Sequence, residues 1–115
     1  MTEFFDTSDY TVSVHAHISE IPADGWDACV PAEDPLVSHR HLQVLETSGM
    51  AVPENGFSPM HVVVHDKADR IVAAAPTFFK TNSDGEYGVD FGLAMAHNRM
   101  VGKYYPKLQV EVPFF

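Results

Sequence analysis

The sequence predicts an α+β domain, α/β-like in its mixture of elements, with a mostly antiparallel four-stranded sheet and two to three helices. Three observations carry that reading. Residues 61–65 (HVVVH) and 70–79 (RIVAAAPTFF) are rich in strand-forming side chains and are separated by only four residues. A link that short cannot make a crossover, so the two runs form an antiparallel hairpin. Two helical patterns, 23–29 and 39–47, precede the hairpin, and two further strand patterns, 10–18 and 108–112, flank everything else.

Taken in order, residues 1–9 read as a loose lead-in. Residues 10–18 (YTVSVHAHI) alternate, with Val12, Val14, Ala16 and Ile18 on one face and Thr11, Ser13, His15 and His17 on the other. Pro22 opens a short helix over 23–29 whose large apolar anchor is Trp26, and Pro31 and Pro35 bracket a turn. Ser38 is placed to cap a second helix, 39–47, by accepting a bond from an early helical N–H. Leu42 and Leu45 share its core face, and Gly49 stands where a C-terminal stop is needed. A loop containing Asn55-Gly56 fills 50–59. Pro76 cannot donate to a β-ladder, so the far half of the second hairpin strand becomes an edge, a bend or a bulge. Residues 80–88 are a polar turn region. Leu93, Ala94 and Ala96 permit a third helix over 90–100, against the weakening effect of Gly92 and Gly102. The last strand is 108–112. No segment repeats or is of low complexity.

The 115 residues are expected to make one domain, 1–115, able to bury roughly 65% of its unfolded surface. Sixteen acids against seven lysines and arginines give a net charge of −9, spread along the chain. Without a basic stripe there is no footprint for nucleic acid. The single cysteine, Cys29, excludes an internal disulfide framework and suits a reducing compartment. The start, MTEFFDTSDY, lacks a basic region followed by an apolar one, and the longest nearly uncharged stretch, 71–79, is too short to span a bilayer. A cytoplasmic protein without membrane insertion is the expectation.

Several side-chain groups invite a chemical reading. His15 and His17 share one strand face, as do His61 and His65, a spacing from which a zinc or iron site is sometimes built. No helical His pair, no Cys pair and no convergent acid completes it, and histidines on the wet face of a sheet account for the same pattern. No metal is therefore expected. Cys29, His39 and Asp34 contain the types for a thiol nucleophile, a base and an orienter. Cys29 would sit at a helix C-terminus, however, where the dipole disfavours a thiolate, and an ordinary core cysteine is the plainer reading. Gly85, Gly88 and Gly92 match no phosphate-cradling pattern. Asp84, Glu86 and Asp90 cluster near a turn, either as solvated acids or as ligands for a cation or an amine. Aromatic residues concentrate in the last quarter: Tyr87, Phe91, Tyr104, Tyr105, Phe114 and Phe115. They suit an acyl or peptide pocket, or equally an interface. The end itself, 104–115 (YYPKLQVEVPFF), is apolar where termini are normally polar. It reads as a core strand whose continuation lies elsewhere.

The segments DPLVSHRHLQVLETSG (34–49), HVVVHDKADRIVAAAPTFFKTNSDGEYGVDFG (61–92) and YYPKLQVEVPFF (104–115), with Ile21-Pro22-Ala23 and Trp26-Asp27, resemble the bacterial FemAB-like group. These proteins have a GNAT-type acyltransferase fold and are labelled as peptidoglycan biosynthesis or recognition proteins. The resemblance covers nearly all of the chain after residue 12. It implies the N-terminal part of a GNAT-like fold, a single partial domain, since members run to several hundred residues in two GNAT-like halves. In such folds backbone N–H groups beyond the fourth strand hold the acyl-CoA pyrophosphate, and that element is not among these residues.

The resemblance implies an N-acyltransferase moving an acyl or aminoacyl group to an amine. Acyl-CoA or aminoacyl-tRNA would serve the complete enzyme, with no cofactor expected on this chain alone and little catalysis by it in isolation. Glu86 and Asp90 are candidate acceptor-binding acids, and Tyr104 and Tyr105 candidate hydrogen-bonding wall residues. Ser38 and His39 are further candidates, although capping accounts for Ser38. The alternative is a non-catalytic half-domain that self-associates. Its interface would be Leu108, Val110, Val112, Phe114 and Phe115, covered by a second copy or by a missing C-terminal portion.

Overall fold

The computed structural model describes residues 9–82, 95–97, 99–100, 102–103 and 105–113. Strand β1, Thr11–His15, leads through a 3-10 turn at Ile18–Glu20 into helix α1, Ala23–Asp27. Helix α2, His39–Thr47, follows a second 3-10 turn at Pro35–Val37. Strands β2 (Phe57–Pro59), β3 (His61–His65), β4 (Ile71–Ala75) and β5 (Phe78–Lys80) come next, and β6 is Lys107–Gln109. Residues 95–97 and 99–100 are helical, and the rest of the third helix expected over 90–100 lies outside the described residues.

The two helices begin and end for local reasons. Pro22 precedes α1, where a missing N–H costs nothing. The α2 boundaries are those expected: Ser38 has extended backbone and its Oγ accepts from the N–H of His41 at 3.2 Å. Asp27 Oδ1 accepts the neighbouring orphan N–H, that of His39, at 2.9 Å. At the far end Gly49 has φ +81°, a conformation that releases the chain from the helix without a Cβ penalty. Helix α1 is shorter than expected, five residues, and the turn after it carries Cys29 outward. Cys29 is thus exposed, and Val30 is the residue of that turn that packs on the core.

The sheet differs from the expectation. In place of one four-stranded sheet there are two three-stranded antiparallel sheets, ordered β1-β3-β4 and β2-β5-β6. The cause is a corner in the hairpin. The run expected as a single strand over 70–79 breaks at Pro76 and Thr77, and the opposite strand breaks at Met60. Met60 N–H donates to Thr77 O at 2.8 Å across the corner. Each long strand therefore contributes one half to each sheet, as the strand-breaking role of proline requires. The last strand, expected over 108–112, is confined to 107–109.

Both helices cover the inner side of the first sheet. Trp26, Leu42, Leu45, Ile18, Ile21, Ala51, Phe57, Val63 and Phe78 form one buried cluster, with Ile71 and Ala74 packed against it. A short helix gains its stability from such a face rather than from intrinsic propensity. Gly25 lets α1 approach β4: a Cβ there would meet Ile71 Cδ1 at 2.7 Å. The outer side of this sheet is apolar and open. Val12 and Val14 are 63% and 56% exposed, and the register shift between Val64 and His65 turns Val72 outward as well.

Candidate functional site

At the end of the first sheet where β1 stops and β3 starts, α2 delivers its last turn, and a polar group is enclosed there. Register places His15 opposite His61. His61 lies on the inward face of β3 and is fully buried, so the wet-face reading does not hold for it. The reason is the approach of α1 and α2, which covers the sheet face that alternation left to both His and Val side chains. Its ring meets Trp26 edge-on at 5.6 Å and Phe78 at 5.2 Å. Nδ1 accepts the N–H of Thr77 at 3.3 Å, which leaves Nε2–H to donate to Glu46 Oε2 at 3.2 Å. Both ring nitrogens are committed, so this imidazole is a positioning group and not a free base.

Glu46 gathers more than one donor. The Ile18 N–H divides between its two oxygens, 3.1 Å from each, and His17 Nδ1 stands 3.8 Å from Oε1. Only 11% of the Glu46 side chain is exposed. A cavity of about 90 Å³ opens beside it, lined by Ala16, His17, Glu46, Ala51, Val52, Pro53 and Pro59. Its walls are apolar apart from the carboxylate and the imidazole. Pro53 starts the 3-10 turn of one wall, and Gly56, at φ +83°, ends that turn and returns the chain to β2. This arrangement can accept hydrogen bonds from a positively charged donor group.

His39 serves structure. It is buried, and its Nε2–H is shared by the carbonyls of Ile18 and Ile21 at 2.9 and 2.8 Å. It thereby pins the turn after β1 to the start of α2. The thiol–imidazole–carboxylate grouping of Cys29, His39 and Asp34 is thus occupied otherwise, with His39 on backbone carbonyls and Cys29 at the surface. His15 bonds Ser13 Oγ at 2.8 Å and Glu20 Oε1 at 3.1 Å. Among the described residues no set of three or more His, Cys, Asp or Glu is arranged to hold a metal ion.

A second polar group lies in the other sheet. Lys80 is fully buried, its Nζ 5.3 Å from the centre of the Phe57 ring and 3.4 Å from Gln109 Oε1. Gln109 Nε2 is buried with no hydrogen-bond partner among the described residues. Lys107 lies directly across the ladder from Lys80, with its ammonium over the Tyr105 ring at 5.7 Å. Of the four candidate substrate-binding residues, only Tyr105 is described, half-buried in this group; Glu86, Asp90 and Tyr104 lie outside the described residues. Of the expected interface residues, Leu108 and Val110 are 60% and 65% exposed, and Val112 packs against the core. Phe114 and Phe115 lie outside the described residues.

Sequence reasoning missed Glu46 and Lys80. Each is a residue type that ordinarily faces water, and here it stands on the inward face of its element. The available signal was weak: Glu46 follows Leu45 on the helix, and Lys80 continues the alternation of Phe78. A wider depression of about 260 Å³ at the hairpin loop is lined by Asp9, Tyr10, Asp66, Lys67, Ala68 and Arg70. Its charges are satisfied internally, Lys67 by Asp9 at 2.7 Å and Arg70 by Asp66 at 3.0 Å.

The profile of the FemAB-like family, described as peptidoglycan biosynthesis/recognition, matches residues 17–115. The chain belongs to that family. The match includes the polar groups described above: His39 and Glu46 of α2, His61 of the first sheet, and Lys80 and Gln109 of the second. Comparison with curated proteins and with solved structures gives no match in either set. Among the described residues no helix is long and apolar enough to cross a membrane.

Proposed function

We propose that this chain is part of a FemAB-like N-acyltransferase that moves an acyl or aminoacyl group to an amine. The observation that carries the reading is the family match, which covers both helices and every strand except β1. Chemistry of this kind needs an amine acceptor deprotonated for attack and hydrogen-bond donors placed where the tetrahedral oxyanion develops. Glu86 and Asp90 are our candidates for holding the acceptor, with Tyr104 and Tyr105 as walls. The donor would be an acyl-CoA or an aminoacyl-tRNA, bound by a further portion of a GNAT-like fold, so the isolated chain is expected not to turn over.

The test is transfer of labelled acyl groups from each donor to peptide amines, with this chain alone and joined to whatever reading frame follows it. Transfer by the longer protein, lost in Glu86→Gln or Asp90→Asn with the fold retained, supports the proposal. Failure of every donor with a folded longer protein sinks it.

A second reading is a non-catalytic half-domain that self-associates. It is favoured by β6, the outer strand of its sheet, which carries Leu108 exposed with Val110 just beyond it. Outer strands with apolar side chains invite pairing with another chain. A stable dimer by light scattering, dissociated by Leu108→Asp, would favour this reading over the first.

A further inference from the structure

His15 differs from the two buried imidazoles. His39 and His61 spend their ring nitrogens on backbone groups and on a sheltered carboxylate. The His15 side chain is 22% exposed, and both its partners are side chains that water can reach: Ser13, half-buried, and Glu20, 47% exposed. Burial does not compel these bonds, and bonds between exposed side chains contribute little to stability. Their order is nevertheless specific. Glu20 Oε1 lies 3.1 Å from Nδ1, and a carboxylate oxygen only accepts, so Nδ1 carries the ring proton. Nε2 then turns its lone pair to the Ser13 hydroxyl, 2.8 Å away. Ser13 and His15 share a face because they stand two apart on β1, and the 3-10 turn Ile18–Glu20 returns the carboxylate to the ring. Hydroxyl, imidazole and carboxylate joined in that order are the parts of an activated serine, recognised by geometry and not by position in the chain. β1 is also an outer strand, so alternate N–H groups along it face away from the ladder and are open to a developing oxyanion.

We propose that Ser13, His15 and Glu20 form a nucleophilic relay that hydrolyses short-chain acyl esters. Ser13 Oγ attacks the ester carbonyl as its proton passes to His15 Nε2. The tetrahedral adduct collapses by breaking the bond to the alcohol oxygen, which leaves with that proton. Water, giving a proton to the same nitrogen, then cleaves the acyl-serine, releases the carboxylic acid and restores the hydroxyl. Glu20 is a positioning residue that holds the Nδ1–H form of the ring. The relay lies at the sheet edge, outside the two cavities described above, which suits a short acyl chain and not a long one. The proposal is independent of the acyl-transfer reading. The family match begins at residue 17, after both Ser13 and His15, and ester cleavage needs no further portion of the fold.

The experiment treats the full chain with p-nitrophenyl acetate, follows release of p-nitrophenolate and locates acetyl groups by peptide mass spectrometry. Saturable release with acetyl on Ser13 is expected. Ser13→Ala and His15→Ala should each slow release about ten-fold or more. His65→Ala, at the other end of the same sheet, should leave it unchanged. Glu20→Leu removes an exposed acceptor and should slow release likewise, while Glu20→Asp, which keeps an acceptor, should recover rate. Nitrogen chemical shifts of the His15 ring should show the Nδ1–H form in the parent and in Glu20→Asp, and its loss in Glu20→Leu. Because Glu20 is exposed, this comparison stands even if His15→Ala fails to fold. Release without acetyl on Ser13 overturns the proposal, as does a parent rate equal to that of Ser13→Ala or of Glu20→Leu. Bonds that merely tie the turn to β1 would give that second result.

Discussion

Glu46 and His61 divide a task that neither residue type performs alone. The imidazole gives the carboxylate a donor and gives the Thr77 N–H an acceptor, so the corner of the hairpin and the end of α2 are fixed by one ring. Removing the carboxylate strands two buried donors, the Ile18 N–H and His61 Nε2–H, and each unsatisfied donor costs about 1–3 kcal/mol. Glu46→Ala is therefore expected to lower stability by ~2–4 kcal/mol, and Glu46→Gln by less than half as much, read from urea midpoints at constant slope. Asp66 gives the pH dependence. Its carboxylate accepts the backbone N–H of Arg70, the largest cause, and bonds the Arg70 guanidinium and the Ala68 N–H, which together hold its pKa below the usual aspartate value. A folded-state pKa below the unfolded one means stabilisation that is present above the unfolded value and lost as pH falls through the folded value. The hairpin contribution should thus fade below about pH 4. Asp66→Asn should flatten that part of the acid stability profile, the difference being small because the Arg70 guanidinium it pairs with is largely exposed and screened by solvent.

At the scale of elements, α2 is fixed at its first turn by Ser38 and in its last turn by Glu46. Ser38→Ala removes the bond to the His41 N–H and should cost ~1 kcal/mol in thermal or urea unfolding. The loop into β2 depends on Gly56. Its φ of +83° disfavours any Cβ, and an added Cβ would also strike the side chains of Thr81 and Asn82. Gly56→Ala is expected to destabilise by ~1–3 kcal/mol and to shift the Thr81 amide, whose N–H donates to Gly56 O at 3.0 Å. A variant as stable as the parent would show that the loop has another conformation of similar energy.

For the whole molecule, the unequal treatment of the two sides of the first sheet matters most. One side carries both helices; the other leaves Val12, Val14 and Val72 open to solvent. Contiguous exposed apolar surface of this kind marks contact sites or aggregation hazards. Val14→Lys should raise the solubility limit and leave the unfolding midpoint within about 0.5 kcal/mol, because an exposed side chain has little packing to lose. Loss of folding in Val14→Lys, seen by circular dichroism, would show that this side is covered in solution.

Local rules were enough for the sequence to determine α2 to the residue, the cap at Ser38, the stop at Gly49, the hairpin and the break at Pro76. Each depends on neighbours a few positions away: a side-chain acceptor, a positive φ, a short link, a missing N–H. The family was legible too, because its motifs are contiguous runs. Tertiary structure alone decided that the broken hairpin feeds two sheets, since that depends on Met60 and Thr77 meeting across the corner. It also decided which face of β1 turns inward. Alternation separates Val12 and Val14 from Ser13 and His15 but does not say which set the helices will cover, and they cover the polar set. Burial of His61, Glu46 and Lys80 follows from the same cause. A polar side chain becomes a site only when elements distant in sequence close around it, and alternation within one strand does not say which face that closure will bury.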